Sequence, residues 1–349
     1  MLAAGRLHAL AALASRLLAL RALRDLDCAA ADEGLVDLVV EVGAVGEDRE
    51  RPVAGHSPQD LLREEDHREA LAAALRVPKD AELAWVSWKT LERQGYRVLF
   101  INPGQLYGYP SETYNLNTRL LEIAAEPRLR SLVGETAYDA ASYLIPIDPN
   151  PAHRWIGQGV RSASALYYKI TALYPSEKWP CNPGGLWDFY ARSPDEIALD
   201  LLEWSLDPRL QDDSGMCRQI ASFTESRDQW NAYASLFMER LQGFQPGSAG
   251  RYATEISSFD PADMKTERTA LFILGSARSE TSRNFVGAMT AAIIERFAEA
   301  HGPLRALVVG EEWGQLYVSN FYEILTLYRQ GGINFLGVFQ NAAAQIETK

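Results

Sequence analysis

Four stretches of the chain are apolar runs cut off by polar or turn-forming residues. Arg97–Ile101 stops at Asn102-Pro103, and residues 269–275 form an unbroken apolar run. Residues 305–312 read Arg-Ala-Leu-Val-Val-Gly-Glu-Glu, and residues 333–339 lead into Gln340-Asn341. Short runs of this kind, partly β-branched, predict strands buried on both faces. A further short strand is predicted within residues 35–45. Helical spacing appears between the runs. Residues 82–94 form a helix stopped by Gly95. Residues 279–300 form one whose apolar face is Phe285, Met289, Ala292, Ile293 and Phe297, ended by Gly302-Pro303. Residues 319–330 carry Phe321, Ile324, Leu325 and Tyr328 and are stopped by Gly331-Gly332. Strand, acids, helix, Gly-Gly, strand is one βαβ crossover, so the pattern predicts an α/β domain with a mainly parallel sheet.

The middle of the chain is different. Residues 149–244 contain no strand pattern. Helices are expected over residues 155–174, 185–190, 194–206 and 214–241, with Ser193 capping and Pro194 just inside the third start. The aromatic series Trp155, Tyr167, Tyr168 and Tyr174 could stack bases, but aromatics at this spacing more often fill a core. Residues 245–250, Gln-Pro-Gly-Ser-Ala-Gly, are a turn-rich connector. The expected divisions are therefore residues 1–76, 77–148, 149–244 and 245–349. The first is of uncertain structure, the second and fourth are two parts of one α/β domain, and the third is a helical insertion.

Composition narrows the function. The net charge of −12 excludes nucleic-acid binding through the bulk surface, because phosphate affinity needs clustered Lys and Arg. Cys28, Cys181 and Cys217 have no metal-ligand spacing and fit a reducing compartment. Arg6, Arg16, Arg21 and Arg24 interrupt the Ala/Leu-rich start, so no uncharged run there is long enough to cross a bilayer.

The candidate chemistry sits at the end of the 305–312 run. Ligands in open α/β sheets bind beyond the carboxyl ends of the parallel strands. Glu311 and Glu312 at such an end are a candidate Mg²⁺-nucleotide site. Glycoside cleavage by the pair is disfavoured, because neighbouring strand residues point to opposite faces while two such carboxylates must flank one bond.

The motifs resemble the type IV secretion coupling proteins, the TraG/TraD-type conjugative DNA-transfer ATPases. The matching residues are Glu311-Glu312-Trp313-Gly314-Gln315-Leu316, then Arg329-Gln330-Gly331-Gly332-Ile333, then Phe339-Gln340. Upstream, Asn102-Pro103 and Tyr114-Asn115-Leu116 follow the family's order, and residues 77–83 look like a degraded Asp-x-Lys-Gly-Glu element containing Lys79 and Glu82. Glu311 stands where the family usually has Asp, and Tyr317 where it often has Gly. Taken singly, Asn115 reads as a turn residue.

This resemblance implies a P-loop NTPase of RecA-like fold with an all-helical insertion, ATP and Mg²⁺ as cofactors, and DNA as cargo. Glu311 is then the metal ligand, Glu312 the activator of the attacking water and Gln340 the sensor of the terminal phosphate, with Lys79 and Glu82 at the nucleotide. It also implies relaxosome or secretion-channel partners for the single transfer strand, a homo-hexamer in the full-length form, and a place in the bacterial cytoplasm at the inner membrane. No G-x-x-x-x-G-K-[ST] occurs in the chain, and the resemblance fades before about Val77. The expectation is a motor domain incomplete at both ends and inactive as written. A non-catalytic, partner-binding remnant of the same fold is the alternative. Residues 1–76 are expected to pack poorly against the rest.

Overall fold

A computed structural model describes residues 35–43, 82–105, 108–147, 151–276, 279–311, 318 and 332–338. Five strands form one sheet: β1 (Leu35–Gly43), β2 (Arg97–Ile101), β3 (Thr269–Ser276), β4 (Arg305–Glu311) and β5 (Ile333–Val338), in the order β2-β3-β1-β4-β5. Each of the four ladders is parallel. Most of the described chain outside this sheet is helical.

Burial explains why the apolar runs are strands. Alanine, leucine, phenylalanine and isoleucine from Ala270 to Ile273 are fully buried, and Ala306, Val308 and Val309 nearly so. Such residues suit a pleated surface covered on both sides. Two helices cover the two faces. α1 (Glu82–Arg93) packs on β2 and β3. Its end is a tight turn: Gly95 has φ +84°, and the Tyr96 N–H returns to the Leu91 carbonyl at 3.0 Å. The side beneath α1 holds Leu91, Phe100, Phe272 and Val309. Phe100 stacks between Phe272 and Tyr109 at centroid distances of 5.2 and 4.5 Å. The other face carries a long helix between β3 and β4, Glu280–Glu299, on the larger core.

The segment between β2 and β3 contains α2 (Thr118–Ala125), α3 (Val133–Leu144), α4 (Pro151–Leu173), α5 (Pro183–Tyr190), α6 (Pro194–Leu206), α7 (Ser214–Glu225), α8 (Arg227–Leu241) and α9 (Ala249–Thr254). α6 begins where the sequence indicates, on a Ser193–Glu196 capping box with Pro194 in the first turn. The run at 214–241 is two helices rather than one, because Ser226 is extended at φ −92°, ψ 104°. Tyr167 and Tyr168 are core residues. Tyr167 OH donates to the Pro180 carbonyl at 3.0 Å, and Trp155 is exposed against Tyr233. Cys181 and Cys217 are buried free thiols, and burial pushes each up to about 11. Among the described residues no helix is long and apolar enough to cross a membrane.

One expectation is corrected. Residues 1–76 were expected to pack poorly, yet Leu35–Gly43 is the central strand. It pairs with β3 from Asp37↔Ala270 to Gly43↔Ser276 and with β4 from Leu35↔Arg305 to Val40↔Gly310. The physical reason is that a β-rich run with two available neighbours completes both ladders, and every interior backbone group then finds a partner. The helix expected over residues 319–330 lies outside the described residues.

Two measurements check this frame. Amide exchange should protect residues 35–43 about as strongly as β4, because a doubly paired strand opens only with the sheet. Phe272→Ala should destabilise the fold by about 3–5 kcal/mol in a denaturant titration, the usual cost of emptying a buried aromatic site.

Candidate functional site

The parallel order sends the carboxyl ends of all five strands to one edge. Asn102 follows β2 there, Ser276 ends β3, Glu311 ends β4 and Val338 ends β5. The β4–β5 ladder sets Glu311 directly opposite Val338. Gln340 is two positions further along the chain than Val338.

Of the five candidate residues, two have a described backbone. Glu311 is the last residue of β4, and Glu82 is the first of α1. Lys79, Glu312 and Gln340 lie outside the described residues. The structure therefore supplies the backbone position of Glu311 at the sheet edge but brings no set of candidate side chains together. Among the described residues no group of three His, Cys, Asp or Glu stands close enough to hold a metal.

The rest of the edge is built from short polar residues. Ser276 donates its N–H to Ser282 Oγ at 2.8 Å, and Ser282 donates its own N–H to Ser279 Oγ at 3.2 Å. The second bond caps the start of α10 (Glu280–Glu299), the helix that leaves β3 at this edge, and the first ties that start to the end of β3. Gly275 allows the close approach: a Cβ there would meet Val286 Cγ2 at 2.4 Å. Asn102 is fully buried. Its N–H donates to Ser111 Oγ at 2.9 Å and its Nδ2 to the Tyr109 carbonyl at 3.3 Å, which fixes the loop leaving β2. Asn115 is the turn residue its type implies. Its Oδ1 accepts the Asn117 N–H at 3.0 Å, while its Nδ2 donates to the Cys181 carbonyl at 3.1 Å.

The far end of α10 is tied down by charge. Arg296 donates to both Asp260 oxygens, at 2.9 and 2.6 Å, and to Glu122 at 2.9 Å. Tyr143 OH donates to Glu295, and Arg119 pairs with Glu299 at 2.7 Å. Burial pushes the Asp260 carboxyl up, but the Arg296 guanidinium and the Ala262 N–H hold it below the usual carboxylate range. This network, invisible in the local sequence, fixes the helix that leads directly into β4.

The structure also has a cleft of about 600 Å³ that the sequence did not announce. Asn115, Thr118, Trp179, Cys181 and Ile256 are among its walls, and none of the five candidates lines it. Its polar walls are consumed internally: Asn182 Nδ2 donates to the Glu255 carbonyl at 3.3 Å, and Thr118 Oγ1 donates to the Asn115 carbonyl at 2.7 Å. Only the grouping of residues around 115, 180 and 256 makes it, which no local motif reports.

The residues present fit only part of an Mg²⁺-nucleotide. A carboxylate at the end of β4 is the donor type a hard cation takes. A polyphosphate also needs backbone N–H donors and a cationic side chain around it. The described edge groups are spent internally, the Ser276 N–H and Ser279 Oγ on Ser282 and the Asn102 N–H on Ser111, and the sequence has no G-x-x-x-x-G-K-[ST].

Neither a protein-family model nor a curated protein matches the sequence. The structure is similar to solved structures of conjugative coupling proteins, the family that the motifs resemble. The plasmid coupling protein TrwB in complex with ADP and Mg²⁺ is 13% identical with a TM-score of 0.46, over 89% of this chain and 64% of that one. The bacterial conjugative coupling protein TrwBdeltaN70, in its trigonal form with sulphate, is 12% identical with a TM-score of 0.49 over the same shares. TrwB with the ATP analogue ADPNP is 13% identical with a TM-score of 0.45, over 90% of this chain and 66% of that one. The chain thus spans 64 to 66% of the length of these structures.

The Arg296 network sets a test of the scaffold. A depressed Asp260 contributes stability that is present above the usual Asp value, about 3.9, and is lost as pH falls through its lower folded-state value. Arg296→Met should cost about 2 kcal/mol at neutral pH, in the range for charge-assisted bonds. The difference from the parent chain should shrink as pH falls below about 4, read by chemical denaturation at several pH values.

Proposed function

We propose that this chain is a segment of a type IV secretion coupling ATPase, a P-loop NTPase of RecA-like fold, with its nucleotide edge at the carboxyl ends of β4 and β5. The carrying observation is the parallel β4–β5 ladder with Glu311 opposite Val338. It gives the Glu-Glu strand end and the strand preceding Gln340 a common edge, as the order of the motifs requires. In this reading residues 149–244 are a helical insertion between the two parts of the α/β domain. The full-length protein is a hexamer at the bacterial inner membrane that moves a single DNA strand with relaxosome and channel proteins.

The residues divide the work as phosphoryl-transfer sites do. Glu311 is the carboxylate ligand of Mg²⁺, Glu312 holds and deprotonates the attacking water, and Gln340 contacts the terminal phosphate. Lys79 and Glu82 lie on the nucleotide side. When bound, the metal would supply positive charge that offsets the phosphates, with Glu311 among the residues that would hold it. Carboxylates alone cannot hold a polyanion, so without a phosphate loop the chain as written binds ATP-Mg²⁺ weakly and does not turn it over. That deficit is also what favours the second reading, a non-catalytic module of the same fold that binds partners.

Calorimetry with Mn²⁺ and ADP should give a dissociation constant weaker than about 1 mM. Glu311→Ala should abolish that binding, and phosphate release should stay at background in both the parent chain and Glu312→Gln. Binding indifferent to Glu311→Ala would overturn the placement of the site. Hydrolysis by the parent chain that vanishes in Glu312→Gln would overturn the inactivity while upholding the motor.

A further inference from the structure

Helix α6 carries a surface that the fold leaves uncovered. Ile197 and Leu201 are fully buried on its inner side. At 100° per residue, Leu199, Leu202 and Leu206 fall on the opposite side, and they are 66, 44 and 81% exposed. Single exposed leucines are ordinary, but three at i, i+3 and i+7 on one helix form a continuous apolar stripe. Met216, at the start of the neighbouring α7, is 41% exposed as well. The stripe is preformed, because the capping box fixes the start of α6 and packing on α7 fixes its inner face.

The charge beside the stripe identifies what fits it. α6 has four acids, Asp195, Glu196, Asp200 and Glu203, and no Lys or Arg. Asp200 is paired with Arg192 at 2.8 Å and Glu196 accepts from Ser193 in the capping box, whereas Asp195 and Glu203 are exposed along the stripe. A second copy of this chain would set those acids against their own counterparts, and like charges face to face suppress association. An anionic bilayer and a nucleic-acid backbone are repelled for the same reason. An amphipathic helix with basic flanks meets both features. Its apolar face lies along the leucines in the i, i+3, i+7 manner of helix docking, and its cations meet the acids.

We propose that Leu199, Leu202 and Leu206 form the docking seam for a basic amphipathic helix of a partner protein. This does not rest on the ATPase reading. The seam lies on α6 and uses none of the strand-edge residues.

The probe is a fluorescein-labelled synthetic helix of about 18 residues, with leucines at helical spacing and lysines flanking them. A matched peptide has glutamate in place of lysine. Anisotropy titration of the whole chain should show binding of the lysine peptide and none of the glutamate peptide. Leu202→Ser with Leu206→Ser should weaken binding roughly tenfold or more, with an unchanged melting temperature because both side chains are exposed. Asp195→Asn with Glu203→Gln should weaken it and flatten its salt dependence. Binding untouched by the leucine changes, equal binding of the glutamate peptide, or no binding at all would overturn the proposal. Self-association of the chain that the leucine changes abolish would overturn it in favour of a second copy.

Discussion

The pairing of β1 on both sides holds the sheet together. In the order β2-β3-β1-β4-β5, β1 is the only described strand between the β2–β3 pair and the β4–β5 pair. Remove its ladders and the sheet falls into two two-stranded ribbons, each too small to be stable alone. The edge on which the proposed site depends is then no longer one edge. Glu311 would keep β5 as its neighbour but lose its relation to Ser276 and the start of α10. The register Leu38↔Leu271 on one side and Leu38↔Val308 on the other is therefore the constraint that everything at the carboxyl edge inherits.

The second constraint is α10. It leaves β3 at the carboxyl edge, crosses the sheet, and delivers the chain to the start of β4. Its start is fixed by the serine cap and the close approach at Gly275, and its end by Arg296 between Asp260 and Glu122. A helix held at both ends positions the strand that follows it more firmly than a loop could. Glu311, the last residue of β4, thus sits on a rigid element, as a site that must hold geometry requires.

Much of this was legible locally. Arg97–Ile101 and Ile333–Val338 are short apolar runs between turn formers, and Ser193-Pro194 with Glu196 announces the start of α6 by its chemistry. The break at Ser226 was not legible, because neither glycine nor proline marks it and the apolar spacing continues across. The helices at Thr118–Ala125 and Val133–Leu144 were also missed; a short 3₁₀ turn from Pro127 joins them, so neither stands out as a long periodic segment. The place of β1 could not be read at all. A strand's neighbours are set by contacts hundreds of residues away, as Asp37↔Ala270 is. For the site, the strand end at Glu311 was readable from composition, while its juxtaposition with Val338 is a property of the sheet.

The proposed site would hold divalent metal with nucleotide at the carboxyl ends of β4 and β5. Paramagnetic relaxation of backbone amides suits it, because it reports even weak and brief occupancy. With Mn²⁺ and ADP at millimolar concentration, the account predicts strong broadening at Gly310, Glu311 and Gly337, weaker broadening at Ser276, and none at the opposite strand ends, Arg97 and Arg305. Broadening centred on Arg97 and Arg305, or spread evenly over the acidic surface with the β4–β5 edge no different from the rest, would contradict it.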